Sequence, residues 1–139
     1  MSETSYHFSA PVQIRMSDLD PFVHVNNGAQ CHLFDYGRSS YLQELLQQKI
    51  DWKTMDLVLV HIDLDFMHPI LFTDQIVCDC MIYEVGNKSI KMIQQLRDTE
   101  TNEVKTICKS VLVTINRATG EPIPVSEEYQ EVIREFEER

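Results

Sequence analysis

Ser17-Asp-Leu-Asp-Pro-Phe-Val-His-Val-Asn-Asn27 separates an alternating segment from a run with helical spacing, and it holds two carboxylates, a proline, a histidine and two asparagines without a lysine or arginine. Pro21 has no amide hydrogen to give a ladder and biases Asp20 towards an extended backbone, so the strand before it is expected to end here. Asn26 and Asn27 are good N-cap residues for a helix starting near Gly28 or Ala29, and the free N–H groups of that helix start would face the acidic loop. The stretch is therefore either a well-capped turn or a site. As a site it would set a carboxylate beside an anion-binding helix start, which suits attack on a carbonyl whose oxygen gains negative charge.

Working outward, His7 to Met16 alternates loosely, with Phe8, Val12, Ile14 and Met16 on one parity, as in a half-buried strand. From Gly28 to about Gln48 the period becomes helical: Phe34, Gly37, Tyr41 and Leu45 form a stripe that Leu33, Leu42 and Leu46 widen. Gly37 inside a helix costs about 1 kcal/mol against alanine, so it marks a close approach of a sheet or a ligand. After a connection carrying Trp52, VLVHIDLDFMHPI alternates, with Val58, Val60, Ile62, Leu64 and Phe66 on one face and His61, Asp63 and Asp65 on the other. Three further strands, Gln75 to Val85, Ser89 to Arg97 and Glu103 to Ile115, are joined by the turns Gly86-Asn87-Lys88 and Asp98 to Asn102, giving an antiparallel meander. Ser126-Glu127-Glu128 opens a C-terminal amphipathic helix running through Glu138. One long helix against one face of a five-stranded antiparallel sheet is an α+β layer architecture whose open edge a second copy could extend.

The chain has 139 residues, the size of one ordinary domain spanning 1–139. Its 22 acidic and 12 basic residues give a formal charge of −10, which disfavours non-specific attraction to nucleic acid or anionic membranes. The first residues, MSETSYHFSAPVQ, lack a charged lead and apolar core, and no run is long and apolar enough for a membrane span. A cytosolic location is expected. Cys31, Cys78, Cys80 and Cys108 sit in regular segments with no histidine pair to complete a zinc spacing, so they read as structural free thiols. His61, Asp63 and Asp65 read as a polar strand face, and no metal is expected.

Four separated segments, SDLDPFVHVNN, FDYGR, VGNKSIKMIQQL and VLVTINRATGEPIPVSEEY, strongly resemble, in order and spacing, the hotdog-fold acyl-CoA thioesterases of the 4-hydroxybenzoyl-CoA thioesterase type. The likeness runs from about Tyr6 to the C-terminus. It implies a sheet wrapped around one long central helix, a homodimer or homotetramer with sheets joined edge to edge, and coenzyme A held across two chains. It implies that Asp20, the second acid of the D-x-D pair, is the catalytic carboxylate, as nucleophile or as general base. The backbone at Gly28 and Ala29 would polarise the thioester carbonyl, with His24 and Asn27 beside it. Lys88 and Ser89 in the G-N-K-S turn would meet the pantetheine and nucleotide parts of the carrier.

Some members of the family place the working carboxylate on the helix, which makes Asp35 the second candidate; its partner there is Arg38 at i+3. Many relatives with H-V-N-N carry an aromatic residue where this chain has Gln30, a departure that alters the acyl pocket. Phe22, Val23, Tyr41 and strand faces of two subunits are expected to line that pocket. No cofactor is implied beyond the coenzyme A of the substrate. Two alternatives keep the same groove: an acyl-carrier-protein thioesterase, and a non-catalytic acyl-thioester binding module.

Overall fold

A computed structural model describes residues 5–46 and 55–138; the connection with Trp52 and the helix end expected near Gln48 lie outside them. The elements are β1 (Phe8–Pro11), α1 (Asn27–Leu46), β2 (Met55–Phe66), β3 (Ile76–Val85), β4 (Ser89–Asp98), β5 (Val104–Asn116) and α2 (Glu127–Glu138), with a 3-10 turn at Met16–Asp18. The five strands form one antiparallel sheet in the order β1-β3-β4-β5-β2. The α+β architecture is the expected one, a single long helix on one face of the sheet and a second helix at the C-terminus. The meander holds for β3, β4 and β5, whereas β2 lies at the far edge against β5.

The even-numbered residues of β4 and β5 form the helix-facing layer. Ile90, Met92, Gln94 and Leu96 are buried beside Thr106, Cys108, Ser110, Leu112 and Thr114. From α1, Gln30, Leu33, Phe34, Gly37, Arg38, Tyr41 and Leu45 are buried at helical spacing, so the expected stripe is present and is extended by two polar residues, Gln30 and Arg38. At Gly37 an added Cβ would stand 2.4 Å from Cys78 Sγ and 3.3 Å from Gln94 Nε2. The close approach read from the glycine is that of β3 and β4. Gln94 Nε2 donates to the Phe34 carbonyl at 3.0 Å, tying sheet to helix at the same level.

Two strand readings change. The first strand stops at Pro11, because its partner β3 begins only at Ile76, opposite the residue after Pro11; Val12 N–H makes the last bond, to the Ile76 carbonyl at 3.1 Å. Residues 12–15 run on without a ladder, and Met16 is exposed rather than inward. In β2 the register shifts between Leu59 and His61, leaving Val60 as a bulge. The bulge breaks the period of two, so Leu57, Leu59, Ile62, Leu64 and Phe66 lie across from the buried row of β5, while Val58 joins His61, Asp63 and Asp65 on the opposite face. Val60, Ile62, Phe66 and Met67 remain exposed along this edge.

The aromatic rings of Phe8, Tyr41 and Phe136 pack at centroid distances of 5.0–6.5 Å and join β1, α1 and α2. The Tyr41 hydroxyl donates to Glu137, whose same oxygen accepts the Ile82 N–H at 3.1 Å. Burial, then the Glu137 carboxylate, pushes the Tyr41 hydroxyl far up and keeps it protonated. Ser126 Oγ accepts the Tyr129 N–H at 3.1 Å and caps α2 as its sequence implied. The four cysteines are free thiols, three of them buried, and burial pushes Cys108 up to about 11 against the pull of Arg38.

On the other face of the sheet Asp79 is 2% exposed and fully paired. Arg97 grips it with Nε at 2.8 Å and Nη2 at 3.1 Å, Gln95 Nε2 donates at 2.8 Å, and the Ser9 hydroxyl also donates. Burial pushes its carboxyl up, but Arg97, Ser9 and Gln95 outweigh that and hold it below the usual range. A carboxyl whose folded pKa is depressed contributes stability that is present above the unfolded value of about 3.9 and is lost as pH falls through the folded value. Arg97→Met should therefore cost about 2–4 kcal/mol at pH 7, where Asp79 keeps Ser9 and Gln95 but is left charged without its cation. The deficit should shrink as pH drops below about 4. Urea midpoints at pH 7 and at pH 3.5 check this; a deficit that does not change with pH would show that Arg97 acts by packing alone.

Candidate active site

The Ser17–Asn27 stretch is a tight loop pinned at several points. The Asp20 N–H donates to the His24 carbonyl at 2.9 Å, and the Val23 N–H to the Asp20 carbonyl at 3.0 Å. Leu19 and Val25 form a bridge, the Asn26 N–H donates to the Asp18 carbonyl at 2.7 Å, and the Val25 N–H to the Ile70 carbonyl at 2.8 Å. Val23 at the tip has φ +65°, a left-handed conformation that a β-branched residue adopts only under constraint, and it is exposed beside Phe22. Nothing in the residue type signalled that conformation.

The two acids of the loop have different surroundings. Asp18 is 3% exposed and accepts from the Arg15 backbone N–H at 2.8 Å and from its Nη2 at 3.1 Å, which closes the 3-10 turn. Burial raises its carboxyl, but the Arg15 N–H and guanidinium, with His32 nearby, bring it below the ordinary range. Asp20 is half-buried, and its Oδ1 accepts the N–H groups of Phe22 at 2.9 Å and His24 at 3.2 Å. Among the described residues no hydrogen bond reaches its Oδ2. One oxygen is thus anchored by the loop and the other is left for a ligand or water.

Asn26 is the residue that caps α1: its Oδ1 accepts from Gly28 at 2.7 Å and weakly from Ala29 at 3.4 Å, and its carbonyl accepts the Gln30 N–H at 3.0 Å. The cap occupies the Gly28 amide that the sequence offered to a carbonyl oxygen, so a substrate would have to share or displace Asn26. Asn27 is the first helical residue and is exposed.

Asp20, His24, Val25, Asn27, Gln30, Phe66, Met67, His68 and Pro69 surround one cavity of about 180 Å³. Three residues named from sequence, Asp20, His24 and Asn27, therefore meet at one place, below the start of α1 and beside the end of β2. Tyr41 does not join them. It lies about 21 Å further along the helix at 1.5 Å per residue, inside the aromatic cluster. Phe22 and Val23 point to solvent, so the lining named from sequence is replaced by Val25, Phe66, Met67 and Pro69. Asp35 lies outside this lining and is exposed, its Oδ1 accepting from Arg38 Nη1 at 2.6 Å, which is the i+3 partner expected.

His68 is a member of the site that periodicity could not find, since it follows the strand in a non-repeating segment. Its Nδ1 stands 3.9 Å from Glu103, which in turn bonds Lys105, and the Lys105 ammonium lies 3.6 Å from Asp74. Lys88 and Ser89 are not near the cavity within one chain. Their turn sits where β4 begins, with Ser89 opposite Val113 and the Lys88 carbonyl accepting from Thr114, whereas the cavity borders the end of β2, where Phe66 pairs with Thr106. Among the described residues no group of three or more His, Cys, Asp or Glu could hold a metal.

This fold, with a carboxylate loop leading into the central helix, is that of a thioesterase: residues 14–133 match the thioesterase-like superfamily, and the chain belongs to it. A thioesterase from Thermus thermophilus complexed with coenzyme A and zinc is 28% identical, with a TM-score of 0.81 over 96% of this chain and 97% of that one. A Pseudomonas aeruginosa protein superimposes with a TM-score of 0.82 at 23% identity, covering 95% of this chain and 92% of its own. A 1,4-dihydroxy-2-naphthoyl-CoA thioesterase from Synechocystis does so with a TM-score of 0.78 at 19% identity, over 91% and 95%. No match was found among curated proteins.

Proposed function

We propose that the chain is an acyl-CoA thioesterase of the cytosol, which hydrolyses the substrate to a carboxylic acid and free coenzyme A as a homodimer or homotetramer. The observation that carries this reading is the cavity at the start of α1, where Asp20 presents a carboxylate oxygen that no described protein group occupies. Asp20 either attacks the thioester carbon itself, expelling the thiolate, which takes a proton from solvent, and forming a mixed anhydride that water then hydrolyses to the acid and free Asp20, or it deprotonates a water that attacks the carbon, that proton passing to the departing thiolate. The dipole at the helix start, with Asn27 and His24, steadies the negative charge that develops on the carbonyl oxygen. The coenzyme A complex of the Thermus thermophilus relative supports the carrier.

The position of Lys88 and Ser89 supports a shared site. If two copies join antiparallel along their β2 edges, the start of one β2 lies beside the end of the other. The turn carrying Lys88 flanks the start of β2 through β5, so a partner's turn would come towards this chain's cavity. The exposed row of Val60, Ile62, Phe66 and Met67 gives that edge an apolar surface to cover.

Thiol release from a panel of aryl-, short- and long-chain acyl-CoA esters, followed with a disulfide dye, tests the reading. Steady turnover of at least one ester is the expected result. Turnover only of esters carried on acyl carrier protein would replace the carrier, and binding without turnover of either would leave a binding module.

A further inference from the structure

We infer that the acyl group taken by this cavity carries an uncharged oxygen, a ketone or a hydroxyl, close to the thioester, and that Gln30 recognises it; this rests on the thioesterase reading above. Gln30 is only 2% exposed and lines the cavity otherwise walled by Val25, Phe66, Met67 and Pro69 on its apolar side. Its Oε1 accepts the hydroxyl proton of Thr106, a residue of β5 that is itself fully buried. With Oε1 placed on Thr106, Nε2 lies at the other side of the amide. The two hydrogens on Nε2 are then the free end, and among the described residues no acceptor reaches them.

Fully buried side-chain atoms without a partner, such as Gln94 Oε1 and Ser110 Oγ, are shut off from any ligand. Gln30 Nε2 does not belong to that set, and Gln30 lines the cavity. A buried donor left unpaired when an apolar ligand covers it costs much of the binding it was meant to serve, and for that reason polar pockets reject ligands lacking the matching group. Gln30 follows Asn27 by one turn on the same face, about 4.5 Å further along the helix. Extended chains advance about 1.2 Å per bond, so an oxygen three or four bonds from the thioester carbonyl carbon falls within reach of the amide. Asp20 in the same cavity and the charge of −10 on the chain disfavour a second carboxylate there and favour a neutral oxygen.

The test compares kcat/KM for acetoacetyl-CoA and 3-hydroxybutyryl-CoA against butyryl-CoA, and for 3-oxohexanoyl-CoA against hexanoyl-CoA. Because a ketone also activates the thioester, the deciding quantity is the change in these ratios between wild type and Gln30→Leu, with Gln30→Met beside it to keep the unbranched shape. Wild type should favour the oxygenated esters by on the order of 100-fold, and at least one folded variant should lose about tenfold or more of that preference. Ratios that stay the same in the folded variants overturn the inference and leave the thioesterase reading standing. Absence of turnover on every ester overturns the thioesterase reading instead. Calorimetric binding of the non-hydrolysable oxo and plain thioether analogues, with equal affinities, would then sink the inference as well.

Discussion

Asp20→Asn is expected to lower kcat by about 10³-fold, within the range a positioned acid or base contributes, while KM and the oligomeric state stay near their wild-type values. The structure makes this substitution unusually clean. The oxygen that anchors the loop, Oδ1, accepts from the backbone of Phe22 and His24, and an asparagine oxygen can accept the same two bonds. Only the charge and the basicity at the other oxygen are lost. Asp20→Ala would remove both anchors too, and the loop, already constrained at Val23, should then lose about 1–2 kcal/mol of local stability. Steady-state kinetics on the best ester of the panel, with the melting temperature as control, separates the two effects. Near-normal turnover by Asp20→Asn would remove it from the chemistry and turn attention to Asp35, where Asp35→Asn removes the charge paired with Arg38 and leaves the cavity untouched.

The second large effect concerns the scaffold. Gly37→Ala exchanges a poor helix former for the best one, which alone would favour the variant by about 1 kcal/mol. The added methyl, however, would lie 2.4 Å from Cys78 Sγ and 2.8 Å from its Cβ, and Cys78 is fully buried with Cys80 at 3.7 Å. The helix must lift from the sheet or the cysteine must leave its place, and overpacking of this kind costs about 1–3 kcal/mol, occasionally more. A net loss near 2 kcal/mol and a fall in Tm of roughly 5–10 °C are expected. Cys78→Ala in the same chain removes the nearer atom and should recover part of the loss, a non-additivity that a double-mutant cycle reads directly. A Gly37→Ala variant as stable as wild type would mean that the helix and β3 can separate at little cost.

The sequence made the elements and the helix stripe legible because both rest on local chemistry: a period of 3.6 from Leu33 to Leu45, a cap at Asn26, turns at Gly86 and Asp98. The meeting of Asp20, His24 and Asn27 was legible for the same reason, since all three belong to one short loop and its helix. What escaped was set by partners far along the chain. Strand β1 ends where β3 begins, not where Pro21 stands. Val60 bulges because the pairing with β5 slips by one residue, and an apolar run carries no sign of such a slip. Tyr41 looks like a pocket residue until the ring of Phe136, close to the other end of the chain, is seen packed against it. Gln30 and Arg38 sit on the inward face of the helix; the resemblance set Gln30 at the acyl pocket and the i+3 spacing set Arg38 beside Asp35, but the apolar pattern itself did not show that either is buried.

The strand order has a consequence during synthesis. The site loop and α1 are made first, yet the surface they rest on is contributed by β3, β4 and β5, and the strand that completes the sheet's far edge must wait for β5. At 5–20 residues per second, roughly 4–14 s pass between the emergence of Leu46 and that of Asn116. Through that interval the stripe of Leu33, Phe34, Tyr41 and Leu45 is covered only in stages, by Phe8 of β1 first and then by β3 and β4 as they emerge.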